Sequence, residues 1–209
     1  MDPRGLSTGP SSGKVVVGDH LQGGIVFHIK YNIAYIVKPE IFTTQNIWGS
    51  TGGPVDYWDA VSNSTFSSLI LENIGQGENS SINSSTNPNH LGGLVNNSNP
   101  NGYTDWWVPN IHELWELRNT IDPQNNVANW KSFFTNGDTW NGILTTCNDF
   151  STSHFIGMEL FGGTLGSGNP KSNTNSKNFV VIRKVHLDRL DSNRRDIIGK
   201  STTKTIIPN

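Results

Sequence analysis

Gly102-Tyr103-Thr104-Asp105-Trp106-Trp107-Val108-Pro109-Asn110-Ile111-His112-Glu113-Leu114 is the stretch whose reading decides the fold of this chain. It opens as a turn, passes through two tryptophans and a proline, and ends in a helix start. Asn110 is a good N-cap, and Glu113 three places on completes the pattern of a capping box. Pro109 pushes Val108 towards an extended conformation. Apolar residues then fall at Ile111, Leu114, Trp115, Leu117 and Ile121, mostly on one helical face. Asp122-Pro123 ends the helix. In an extended segment Trp106 and Trp107 project to opposite sides. One is expected in the core, and Trp107 is the residue of the run expected to face outward, towards a groove or an interface. The alternative is that both pack inside, as large aromatics mostly do.

The chain around this run has 209 residues, enough for one domain with a real core and extensions. Only 15% of its residues are charged, Gly, Asn, Ser and Thr abound, and seven residues are tryptophan. That composition fits a loop-rich globular protein with aromatic anchors better than a helical enzyme. No apolar run approaches the ~20 residues that span a bilayer. The start, Met1-Asp2-Pro3-Arg4-Gly5-Leu6, lacks the basic-then-apolar pattern of a secretory leader. Cys147 is the sole cysteine, so the fold cannot depend on an intrachain disulfide. Charge is unevenly placed. From Arg183 onward seven basic residues face three acidic ones, within a chain of net charge −2. Such a tail suits docking on an acidic partner, or simple solvation.

Three segments are expected: an N-terminal arm over 1–17, a body over 18–186, and a basic C-terminal extension over 187–209. Val15-Val16-Val17 is a short strand candidate. Ile25–Ile29 and Ala34–Val37, separated by Tyr31-Asn32, read as a β-hairpin. Residues 62–74 suit an amphipathic helix stopped by Gly75 and Gly77. Residues 76–101 read as a long ordered loop with a short helix around 91–95. Strands are expected at 143–146 and 155–160, a second loop over 166–176, and the clearest strand at 179–185, where β-branched residues follow in series.

Catalytic and metal patterns are mostly missing. The six histidines do not fall at a helix-face metal spacing with an acid, and His112 reads as a lone surface histidine. Cys147 has His154 nearby in sequence but no local nucleophile signature. Asp56, Asp59, Asp105, Asp138 and Asp149 lack the density of a calcium loop. The near-neutral body does not support nucleic-acid binding. No catalytic residue, metal site or cofactor is therefore expected. What remains is a binding surface of aromatics set among polar loop residues, which suits sugar rings and protein loops alike. The candidate ligand-binding residues are Tyr57, Trp58, Trp107, Trp140 and Asp149.

The opening run also resembles the signature of the Lcl C-terminal domain family, found in phage and bacterial surface and adhesion proteins. Gly102, Tyr103, Asp105, Trp106, Val108, Pro109, Glu113 and Leu114 stand at its Gly-Tyr-x-Asp-Trp-x-Leu-Pro and Glu-Leu positions. Gly23-Gly24-Ile25-Val26-Phe27, Trp48-Gly49, Ile74-Gly75-Gln76-Gly77-Glu78-Asn79 and Val181-Ile182-Arg183-Lys184-Val185 resemble further family segments in the same order. The family's Tyr-Trp-Ser-Ser motif is replaced by Gly142-Ile143-Leu144-Thr145-Thr146. The resemblance spans roughly 18–186. It implies an α+β, C-type lectin-like fold: a mixed antiparallel sheet with two helices and long loops. The calcium-dependent sugar motifs and disulfides of true C-type lectins are absent.

Together these point to a non-enzymatic virion protein of a bacteriophage, a decoration or tail-fibre protein that touches a host surface or glycan. Its arms would engage other virion proteins in a homo-oligomer or larger assembly, with no nucleic acid and no membrane insertion. The alternative is a glycan-binding adhesion module at a bacterial cell surface. An enzyme is the third reading, since lectin-like folds include a formylglycine-generating oxidase, but that chemistry needs paired thiols and Cys147 is alone.

Overall fold

The computed structural model describes residues 14–44, 74, 75, 77, 78, 95, 102–121, 132–135, 143–149, 154–159, 165–170 and 177–190. These form an α+β arrangement of two sheets and one helix among the described residues. Sheet 1 has the order β1-β2-β3-β9: β1 (His20–Leu21), β2 (Gly24–Lys30), β3 (Ile33–Val37) and β9 (Ile182–His186), all antiparallel. Sheet 2 has the order β4-β8-β5-β6-β7, with β4 (Phe42–Thr44), β5 (Ile143–Asp149), β6 (His154–Glu159), β7 (Leu165–Pro170) and β8 (Lys177–Phe179). It is mixed, because β5 and β8 run parallel where Leu144 meets Asn178.

The two sheets share a ribbon. β3 pairs with β9, and after a crossing of a few residues β4 pairs with β8. At the crossing the Lys38 N–H donates to the Val181 carbonyl at 3.0 Å, and the Phe42 and Phe179 rings stack at 5.4 Å. The β-branched run at 179–185 is therefore two strands rather than one. Val180 and Val181 carry the chain from one sheet to the other, and both are buried.

Sheet 1 is covered on both faces. Period-2 alternation sends Ile25, Tyr35, Val37 and Ile182 to one cluster, with Ile111, Leu114 and Leu117 of helix α1 (Ile111–Ile121). Val26, Ala34, Ile36 and Val185 enter a second cluster, with Val15, Val108, Phe179 and Leu190. This corrects the expectation that Trp107 faces outward. The tryptophans do diverge, but each enters a core: Trp107 the helix-side cluster and Trp106 the opposite one. They are 1% and 3% exposed. A sheet with two buried faces leaves neither side of the extended run open to water.

Other elements match or shift. The hairpin of β2 and β3 turns at Tyr31-Asn32, with Lys30 opposite Ile33. Val15–Val17 is not a strand but the approach to a turn, where the Val16 N–H donates to an Asp19 carboxylate oxygen at 2.9 Å. Part of the loop expected over 166–176 is strand β7, paired antiparallel with β6. Val15 and Leu190 are buried, so packing reaches beyond residues 18 and 186 at both ends of the body. Val95 is helical and buried within the stretch 91–95. The helix expected over 62–74 lies outside the described residues except for Ile74, which is buried in a turn.

Burial of both tryptophans sets a stability prediction. Trp106→Ala and Trp107→Ala should each destabilise the protein by about 3–5 kcal/mol, the cost of emptying an aromatic core site. Urea unfolding of the two variants measures this. A loss under about 0.5 kcal/mol for either would place that ring at the surface.

Candidate functional site

The helix start is a closed capping box. The Glu113 N–H donates to Asn110 Oδ1 at 2.8 Å, and the Asn110 N–H donates back to Glu113 Oε2 at 2.7 Å. Glu113 does more than cap. Its Oε1 accepts from the Gly75 N–H at 2.7 Å and the Gly77 N–H at 3.4 Å, and its Oε2 from Trp107 Nε1 at 3.3 Å. The residue is fully buried. Two glycines make this fit possible. Gly75 has φ +95°, and a Cβ there would lie 2.7 Å from the Tyr35 hydroxyl. At Gly77 a Cβ would meet the Glu113 carboxylate and come within 2.8 Å of the Asn110 nitrogen.

Burial pushes the Glu113 carboxyl up to about 7, while the four N–H donors pull it back down. Tyr35 is raised as well, first by burial and then by Glu113 and Glu78. Glu78 in turn pairs with Lys184 on β9.

A second node ties the motif run to β9. The Trp107 and Ile182 backbones exchange two hydrogen bonds of 2.9 Å, an isolated antiparallel bridge. One residue along, Arg183 Nε donates to the Asp105 carboxylate, and its Nη1 to Gln22 Oε1 at 2.6 Å. The guanidinium lies 3.8 Å from the Tyr103 ring centroid, a cation–π contact. Tyr103, Asp105, Trp107 and Glu113 are thus all engaged in holding other segments.

A third feature lies at the hairpin tip. A groove of about 630 Å³ is lined by Lys14, Val15, Val16, Val17, Ile29 and Tyr31, with Asn32 and the 187–190 segment closing it. Both ends of the described body meet there, and the Leu187 N–H donates to the Asn32 carbonyl at 2.9 Å. Val16, Val17 and Tyr31 are its exposed apolar residues, with Tyr31 92% exposed. Tyr31 also holds φ +56°, where a bulky side chain is uncommon.

Of the five candidate ligand-binding residues, Tyr57, Trp58 and Trp140 lie outside the described residues. Trp107 is interior, so it cannot present a face to a ligand. Asp149 ends β5 opposite Phe155, beside a register shift in the β5–β6 pairing. His112 is not a surface histidine: it is 7% exposed, and burial lowers its pKa. Helix α1 lies against β2 of one sheet and β5 and β6 of the other. Cys147 is buried, and its N–H donates to the Pro109 carbonyl at 2.9 Å. The groove residues were missed by sequence reading. Three consecutive valines followed by Gly18, and a tyrosine at a hairpin turn, were the signals available. Compared with known proteins, the chain matches no protein-family model, and no curated protein or solved structure aligns with it significantly.

The buried carboxylate makes two predictions. At pH 6 the folded Glu113 carboxyl is mostly protonated, and Glu113→Gln replaces its single O–H with an NH₂ group carrying two hydrogens towards N–H donors, so it should cost about 2–4 kcal/mol by urea unfolding. The folded pKa lies above the ordinary glutamate value of 4.5, so the folded state holds the proton more tightly. Stability from this group is full below that value and is lost as pH rises through about 7. Wild-type stability should fall by up to about 3 kcal/mol over that window, and Glu113→Gln should remove most of the slope. Gly77→Ala should destabilise by about 1–3 kcal/mol, because its methyl group overpacks the cap. An unaltered melting temperature for Gly77→Ala would contradict the packing described.

Proposed function

We propose that the chain is a non-enzymatic structural protein of a bacteriophage particle, a decoration or tail-fibre protein with a C-type lectin-like body that contacts a host surface or its glycans. The observation that carries this reading is the convergence of both ends of the described body at one place. The 14–17 and 187–190 segments line one groove at the hairpin tip, so both ends of the described body open at a single patch. One patch at which both polar terminal segments connect to the body suits attachment to a larger assembly, and it leaves the far side of the body for recognition.

The motif geometry supports the lectin-like part of the reading. Gly75, Gly77, Asp105, Glu113 and Arg183 belong to segments that resemble the Lcl C-terminal domain family in order, and they meet in two nodes. That is what a framework signature does. Recognition then falls to residues outside that framework, with Tyr57, Trp58 and Trp140 the aromatic candidates and Asp149, at the end of β5, the polar one.

Labelling with an antibody against the full chain tests the assignment. Purified phage particles of the source should be decorated at a regular position, and soluble full-length protein should bind host cells. Trp58→Ala and Trp140→Ala should lower that binding at least about tenfold, as loss of an aromatic anchor does. Label on the bacterial envelope with none on particles would instead favour the adhesion module of a bacterial surface. Label on neither would end both readings.

A further inference from the structure

The groove at the hairpin tip sets exposed apolar side chains beside Lys14, Asn32 and Asp188, and no described residue covers it. Val16, Val17 and Tyr31 expose 40%, 47% and 92% of their surfaces within it. A single exposed apolar residue is ordinary, but three around one concave site of about 630 Å³ mark a docking place. Tyr31 strengthens the point. A tyrosine at positive φ costs roughly 1 kcal/mol that Asn or Gly would avoid, so the ring is present for what it touches.

The position of the groove limits its occupant. Leu190, the last residue described before the extension, is part of the wall. Beyond it come Asp191-Ser192-Asn193-Arg194-Arg195-Asp196, six polar residues, and then Ile197-Ile198. Six residues match the common length of a connection that reverses direction, and they span at most about 20 Å. Ile197-Ile198 is the first pair of large apolar residues after Leu190. A tethered segment faces its site at roughly millimolar effective concentration, which favours it over a separate molecule.

We propose that this groove seats the chain's own C-terminal extension, folded back after Leu190 so that Ile197 and Ile198 fill it between Val16, Val17 and Tyr31. The seat fixes the point from which the basic remainder, with Lys200 and Lys204, leaves the body. It shares its patch with the proposed attachment site but does not rest on the lectin-like reading, because neither the motif run nor sheet 2 contributes to the groove.

Two measurements on the full chain test it. In the first, Ile197→Asp and Ile198→Asp are combined, and hydrogen exchange is followed at residues 15–17 and 29–32. Exchange there should rise at least about tenfold, with the core of α1 unchanged. Unchanged exchange at the groove overturns the proposal. In the second, Val17→Cys and Ile198→Cys are combined and oxidised. A disulfide within one chain, seen at monomer mass on a non-reducing gel, is the expected product. Crosslinks only between chains would overturn it in favour of a second copy as the occupant, and no crosslink would overturn it outright. Failure here leaves labelling of the particle unaffected, so the two readings fail separately.

Discussion

A fully buried carboxylate organises this fold. Glu113 has no access to water, and an ion in that position costs several kcal/mol unless its lone pairs are filled. Four N–H groups fill them: the backbone of Gly75, Gly77 and Asn110, and the indole of Trp107. Two stretches of chain, the Gly75–Gly77 segment and the run from Trp107 to Glu113, must therefore meet for the site to close. The residue types follow from that meeting. Only glycine gives the 75 and 77 backbones their approach, and tryptophan supplies a donor from an otherwise apolar side chain.

A second set of contacts fixes where this node sits. The run bridges β9 through Trp107 and Ile182, and Arg183 is held between Asp105, Gln22 and Tyr103. β9 continues through Val180 and Val181 into the other sheet, so the same strand pair links both sheets. Helix α1 is then pressed onto one face of sheet 1. The opposite face is closed by Trp106, Val108 and the two ends of the body. The polar residues of the run, Asp105, Asn110 and Glu113, are spent on this framework.

Local chemistry was legible in the sequence and sidedness was not. The capping box of Asn110 and Glu113, the hairpin at Tyr31-Asn32 and the strands at β5 and β6 depend on neighbours within a few residues, and each stands in the structure. The opposed directions of Trp106 and Trp107 were also legible. That both directions end in a core was not, because it depends on what covers the far face of sheet 1. The run 179–185 reads as one strand because β-branched series do not reveal where a chain changes sheets. Strand β7, Leu165–Pro170, is made of Gly, Ser, Asn and Pro after its first residue, and it carries almost no strand propensity. Of the site residues, Trp107 was misplaced by the sidedness error, while Tyr57, Trp58 and Trp140 lie beyond the described residues. The groove was overlooked because its walls come from both ends of the body.

The central claim is that one carboxylate joins these segments, and a titration followed by NMR tests it most directly. The amide resonances of Gly75, Gly77 and Asn110 and the indole N–H of Trp107 should shift together, with one shared midpoint near 7. Four separate responses, or no response at these N–H groups, would contradict the account.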